Sequence, residues 1–279
     1  MDERSRTLIY LIISLVIGGG AVGFWFYSKR SHYFAHAEYW VYSNNHEMPS
    51  TEKLMVRLVA SNPYIQQGQN PIGGAEGLVL SDIRLKIALL LKTRNQNLFD
   101  GRRVPASIAD QHDFIREIGS FQSIVKLQYI STTKLKDKRH LQFLMHAADA
   151  TAEICESDWI LDKVTGVLRT KSQQEEILAK SFNVTKLDIH ARLEANMDNS
   201  FSSFGLIKAG IADFDTHPVS ADQVQLVREI LERYMTLSWE RGEAFPDPIK
   251  AYDDEFFILQ KPIKHNRTLM RIVRKQMIP

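Results

Sequence analysis

From Leu8 to Phe26 the chain reads LIYLIISLVIGGGAVGFWF, with no charged residue. A helix over that run, rising about 1.5 Å per residue, is just long enough to cross the hydrocarbon core of a bilayer. No other stretch constrains the fold so strongly. The flanks favour a retained anchor over a cleaved signal. Phe24, Trp25, Phe26 and Tyr27 form an aromatic end suited to the headgroup level, and Lys29 and Arg30 follow directly. Ala21 and Gly23 are small enough for a peptidase site, but a signal does not need the aromatic-then-basic ending. Arg4 and Arg6 on one side, against Lys29, Arg30, Lys53 and Arg57 on the other, tilt the orientation toward a cytoplasmic main domain. Cys155 agrees, because a single thiol cannot form an internal disulfide. The expected localisation is the inner membrane, single-pass.

The expected organisation is a tail over 1–6, a transmembrane anchor in lipid over 7–27 and a juxtamembrane helical region over 28–61. A Pro/Gly-rich loop over 62–80 and a helical soluble domain over 81–279 follow. Beyond the anchor the apolar residues recur mostly at helical spacing. Ser31 to Tyr42 suits an amphipathic helix. Ser50 caps a helix carrying Leu54, Met55, Leu58 and Val59. Ile83, Ile87, Leu90 and Leu91 form a stripe after Ser81, and Pro105 opens a helix through Ile130. A further helix runs from the basic stretch Lys134 to His140 as far as about Val164. Ser172 with Glu175 and Ser220 with Gln223 are capping-box pairs, the second opening a periodic run to Arg241 that Gly242 ends. Glu255 to Leu259 fits a short strand or a buried turn, and Asn266 to Gln276 a last helix. The fold class expected is therefore mainly α, with little sheet.

Chemistry is sparsely signalled. His146, Asp149 and Glu153 share one helix face at i, i+3 and i+7 and are weak metal candidates, with His140 nearby. No second ligand helix accompanies them, so no metal and no cofactor is expected. His112-Asp113 lacks the partners of an HD-type site. The loop Pro71 to Gly77 lacks the spacing and the lysine of a phosphate loop. Cys155 lies beside Glu153 and Glu156, which disfavour a thiolate. No catalytic residue is assigned. The tripeptides Asn183-Val-Thr185 and Asn266-Arg-Thr268 match the N-glycosylation pattern, which chance supplies often. The formal net charge of +2 gives no global reason to expect nucleic acid binding.

Two basic groups remain as binding candidates for an acidic partner. One is Lys134, Lys136, Lys138 and Arg139. The other is Arg267, Arg271, Arg274 and Lys275, whose arginines share a helix face at i, i+4 and i+7. Guanidinium groups in such a line suit carboxylates; a solvated charged face is the alternative.

The ending also carries a resemblance. The periodic helix Glu229 to Arg241, Gly242, then Glu255-Phe256-Phe257-Ile258-Leu259, Lys261-Pro262 and Arg267-Thr268-Leu269 through Lys275 is similar to the C-terminal region of DotM/TrbA-type proteins. These are membrane subunits of type IV secretion and conjugation coupling complexes. Met270-Arg271 stands where that family has an aromatic pair. The resemblance implies a non-enzymatic, membrane-anchored interaction subunit, whose partners are other subunits of the complex and acidic segments of exported proteins. The alternative is an anchored metal-dependent enzyme using the His146 face.

Overall fold

A computed structural model describes residues 34–60, 72–74, 77–80, 83–180, 184–264 and 266–275. The chain divides into two units, Met1–Tyr33 and Phe34–Pro279, and everything described belongs to the second. The apolar run Leu8–Phe26 and the anchor over 7–27 lie outside the described residues. Among the described residues no helix is long and apolar enough to cross a membrane. The single-pass inner-membrane expectation is corrected to that extent: no described helix supplies a membrane span.

The fold class is corrected as well: the domain is an α/β structure built on two sheets. The first has seven strands, in spatial order β2-β3-β4-β5-β1-β6-β7. These are β1 (Ala35–Ser43), β2 (Ile72–Gly74), β3 (Gly77–Leu80), β4 (Ile83–Leu91), β5 (Ser123–Ser131), β6 (Trp159–Asp162) and β7 (Val167–Thr170). Every pair is antiparallel. The second sheet has six strands, in order β11-β12-β13-β10-β9-β8. These are β8 (Arg192–Ala195), β9 (Phe201–Phe204), β10 (Asp213–Thr216), β11 (Ile249–Ala251), β12 (Asp254–Lys264) and β13 (Arg267–Arg274). Only β10 and β13 run parallel.

Several expected helices are strands because a period of two was hidden in them. In β4, Ile83 and Leu85 are buried while Arg84 and Lys86 are exposed, the alternation of a half-covered strand. In β1, Ala37, Tyr39 and Val41 face one core, and Trp40 and Tyr42 face another. Burial on both sides erases the polar half of the alternation. Residues 28–61 therefore hold a central strand rather than a wholly helical region, and the 62–80 loop contains the β2–β3 hairpin. The terminal stretch expected as a helix is β13.

The helices among the described residues are α1 (Thr51–Ala60), α2 (His112–Glu117), α3 (Arg139–Ile154), α4 (Lys171–Lys180), α5 (Leu187–His190) and α6 (Val224–Arg241). Of the helix expected from Pro105 through Ile130 only α2 is α-helical and the end is β5, and the helix expected as far as about Val164 ends at Ile154, ahead of β6. Leu54 and Leu58 of α1 are buried. The box at α4 is displaced by two residues: Gln173 N donates to Thr170 Oγ1, and Thr170 N donates to Gln173 Oε1. Gly242 ends α6 at φ +73°. Helix α3 is buried on nearly every side, and Ala147, Ala148, Ala150 and Ala152 let it lie close against β1 and β5. One apolar core runs from the first sheet through α3 to α6 and the second sheet.

A polar staple crosses between the two sheets. Lys208, in the turn Leu206–Ala209 after β9, pairs with Asp162 at the end of β6, and neither side chain reaches solvent. Burial alone would raise the Asp162 carboxyl, but the Lys208 ammonium and Arg169 guanidinium outweigh it and hold it below its ordinary value. Arg169 Nη2 of β7 donates to the carbonyl of Ile189 at 2.8 Å. Gly205, at φ +101°, brings the turn in; a Cβ there would stand 2.1 Å from the His190 carbonyl oxygen.

Candidate functional site

Strand β10 lies beside β13 only as far as Thr216, which is in register with Met270. The next residues are His217 and Pro218, and a proline cannot donate to a ladder. The chain turns away there and returns as α6. Among the described residues, Arg271 to Arg274 therefore pair with β12 alone. The departure leaves a groove of about 710 Å³ between the first turns of α6 and the sheet. Leu226, Val227 and Ile230 form its helix wall, and Phe256, Met270 and Ile272 its sheet wall. His217, Gln223, Asp254, Arg271 and Arg274 supply its polar lining. Arg274 is paired with Asp254, whereas exposed Arg271 has no ion pair among the described residues. Deeper along the same helix, Gln260 Nε2 donates to Tyr234 Oη at 2.8 Å, and Tyr234 meets Phe214 edge-on at 6.0 Å. These contacts fix α6 on the sheet and with it the groove's width.

The basic residues singled out by sequence are dispersed. As strand residues, Arg267 and Arg271 share one face of the sheet and Arg274 alternates to the other, so the expected helical stripe does not form. Arg267 grips Asp215 with two bonds of 2.6 Å and lies 5.2 Å over the Phe204 ring. Lys275 is paired with Glu255. Lys134 donates to Glu243 at 2.6 Å, and with Arg241 it pulls the Glu243 carboxyl down to about 2. Lys138 Nζ sits 5.8 Å over the Trp239 ring, and burial lowers its pKa. Arg139 Nε is bonded to Asp137 at 2.8 Å, and Lys136 is exposed. This second group gathers near Trp239 and Glu243, at the opposite end of α6 from the groove. The two groups do not form one surface.

The metal candidates do share a face of α3, but Arg57 from α1 lies against it. Its Nε is 2.5 Å from Glu153 and its Nη2 4.0 Å from Asp149. Burial pushes His146 down to about 4 and raises Asp149 to about 6. Among the described residues no group of three or more His, Cys, Asp or Glu could hold a metal ion. His140 is committed elsewhere: its Nε2 is 2.8 Å from the Lys208 carbonyl, and its ring stacks on Tyr129 at 4.3 Å. Cys155 is buried, which raises its thiol. Asp113 of α2 pairs with Arg116. Asn266 forms the β12–β13 turn at φ +64°, and its Nδ2 and Thr268 Oγ1 are both buried, so that tripeptide is not presented to solvent.

Sequence reasoning missed the groove's apolar walls. The available signal was the break at His217-Pro218 after a short alternating segment. No family model, characterised protein or solved structure matches this chain.

Proposed function

We propose that this chain is a non-enzymatic recruitment domain, and that it takes an extended segment of a protein partner into the groove beside β13. The observation that carries the reading is the one-sided pairing of Arg271–Arg274 next to an apolar groove of about 710 Å³. An added strand there gains main-chain hydrogen bonds from the open edge, and its alternate side chains meet Leu226, Ile230 and Ile272. Arg271, free of a carboxylate among the described residues, selects an acidic residue at the rim. The resemblance of the terminal segment supplies a setting for this proposal. In a type IV secretion or conjugation coupling complex the incoming segment belongs to another subunit or to an exported protein. Nothing at the His146 face favours the metal-enzyme alternative, because Arg57 occupies the position a cation would take.

Selection of random displayed peptides on the intact chain tests the reading. Enriched peptides should alternate apolar residues with Asp or Glu. Methylating alternate backbone nitrogens of an enriched peptide should abolish binding, because the edge bonds are lost. Peptides that bind equally well when methylated would show that the edge is not used.

A further inference from the structure

The groove beside β13 has two unlike ends. At one end Thr216 stands opposite Met270, the last pair of β10 with β13. The chain then crosses as His217, Pro218 and Val219, and all three line the groove. That end is closed by the protein itself. At the other end Arg274 stands opposite Phe256 and β13 stops. The open pairing positions therefore run from Arg271 to Arg274, about 13 Å of strand.

The backbone along this stretch faces the groove in alternation. Asp213 N donates to the Asn266 carbonyl at 3.0 Å, on the β10 side of the hairpin. Alternate residues after it, Thr268, Met270, Ile272 and Arg274, turn their backbone groups toward that same side. Strand β10 ends beside Met270, so Ile272 and Arg274 are left to bond an incoming strand. Charge follows the same polarity as shape. Exposed Arg271 and His217 lie at the closed end. Asp254 is the only carboxylate among the described residues that line the groove. It precedes Phe256 on β12, at the open end, where it pairs with Arg274.

We infer that this groove takes the free C-terminus of its partner, laid antiparallel to β13 with the terminal carboxylate against Arg271 and His217, which presupposes the recruitment function proposed above. A segment threaded through the groove would have to leave past Met270, where His217, Pro218 and Val219 cross; a chain end needs no exit. The direction follows from charge. In an antiparallel strand the last residue reaches the closed end, where the Arg271 guanidinium suits a carboxylate and the His217 ring N–H supplies a further donor. A parallel strand would bring an α-ammonium against Arg271 and lead its own carboxyl end toward Asp254. The closed end also lies on the line of the added backbone. A side-chain carboxylate stands off the sheet, whereas a terminal one continues along it. The last four or so residues then send alternate side chains to Leu226, Ile230 and Ile272.

The test displays random peptides to the intact chain in two formats, one ending in a free carboxylate and one flanked on both sides by carrier protein. The free-ended format should give the stronger enrichment. The best free-ended sequence is then synthesised as the acid, as the C-terminal amide and with two glycines appended, and titrated by fluorescence anisotropy. The acid should bind at least about tenfold more tightly than either of the others, the loss expected when a charged hydrogen-bonded pair is removed. Arg271→Gln should weaken the acid about tenfold and leave the amide unchanged, a split that a merely structural role would not produce. Acetylating the peptide's amino end should have no effect. Equal affinity of acid, amide and extended peptide overturns the carboxylate assignment and leaves the groove as a recruitment site for internal segments. Equal weakening of acid and amide by Arg271→Gln overturns it in the same way, as does enrichment from the flanked format alone. Enrichment from neither format overturns the recruitment reading as well.

Discussion

Lys208 reaches from the turn after β9 to Asp162 at the end of β6, and this ion pair, sealed from water on both sides, ties the second sheet to the first. Removing one partner strands the other charge in the core. Asp162→Ala should lower unfolding stability by about 3–5 kcal/mol. Replacing the pair together, Asp162→Leu with Lys208→Met, should recover much of that loss, since two uncharged groups leave no orphan. Urea titration of the three proteins decides it. A double variant no more stable than Asp162→Ala would mean that the wider polar cluster, not the pair, is what matters.

His140 should make the domain acid-sensitive. Burial holds it neutral, with its pKa pushed down from 6.5 to about 4. Below pH 6.5 the unfolded chain binds a proton that the folded chain refuses. Its contribution is therefore complete above that pH and is lost as pH falls toward 4. Between pH 7.5 and 4.5 this amounts to about 2–3 kcal/mol. His140→Phe keeps a ring against Tyr129 but carries no proton. It should be less stable at pH 7.5, and should lose about 2–3 kcal/mol less on acidification. Equal acid losses in the two proteins would assign the sensitivity to other groups.

Gly205 and Gly242 both have positive φ, yet only one is boxed in. A Cβ on Gly205 meets the His190 carbonyl oxygen at 2.1 Å, and one on Gly242 meets nothing within 4 Å. Gly242→Ala should cost about 1 kcal/mol, the left-handed penalty alone. Gly205→Ala must also move backbone and should cost more than about 2 kcal/mol. Thermal melts that rank the two the other way would contradict the close approach.

Arg267 and Arg271 should separate stability from recruitment. Arg267→Glu faces Asp215 with a like charge and strips the cation from Phe204, so it should destabilise the domain by roughly 1–3 kcal/mol. Arg271→Glu touches no carboxylate among the described residues. It should stay within about 0.5 kcal/mol of the parent while weakening an acidic groove peptide about tenfold. Melting curves and peptide titrations on the two single variants give the answer. A variant altering all the terminal arginines together would confuse the two effects.

The helices that show in the sequence are those with an exposed polar side to give contrast. In α6, buried Val227, Ile230, Leu231 and Tyr234 alternate with solvated residues at helical spacing, and Gly242 marks the stop. The strands were illegible for two reasons. Strand β1 is buried along nearly all its length, and after His36 and Glu38 its alternate positions pass to Trp40 and Tyr42, so the polar half of the alternation stops midway. Strand β13 places Arg267 and Arg271 at a spacing of four, which a helix and a strand both put on one face. Beyond the break at His217-Pro218 the groove had no signal in the sequence, because its walls come from α6, β12 and β13.

The central position of β1 also sets an order of events during synthesis. Its neighbours are Ser123–Ser131 on one side and Trp159–Asp162 on the other, so the earliest strand of the domain to leave the ribosome waits for the chain some 80 to 120 residues behind it. At about 5–20 residues per second that wait is on the order of 4–24 s. For that time a strand carrying Tyr39, Trp40, Val41 and Tyr42 has two unsatisfied edges and two apolar faces, the condition in which nascent chains associate with one another or are held by chaperones.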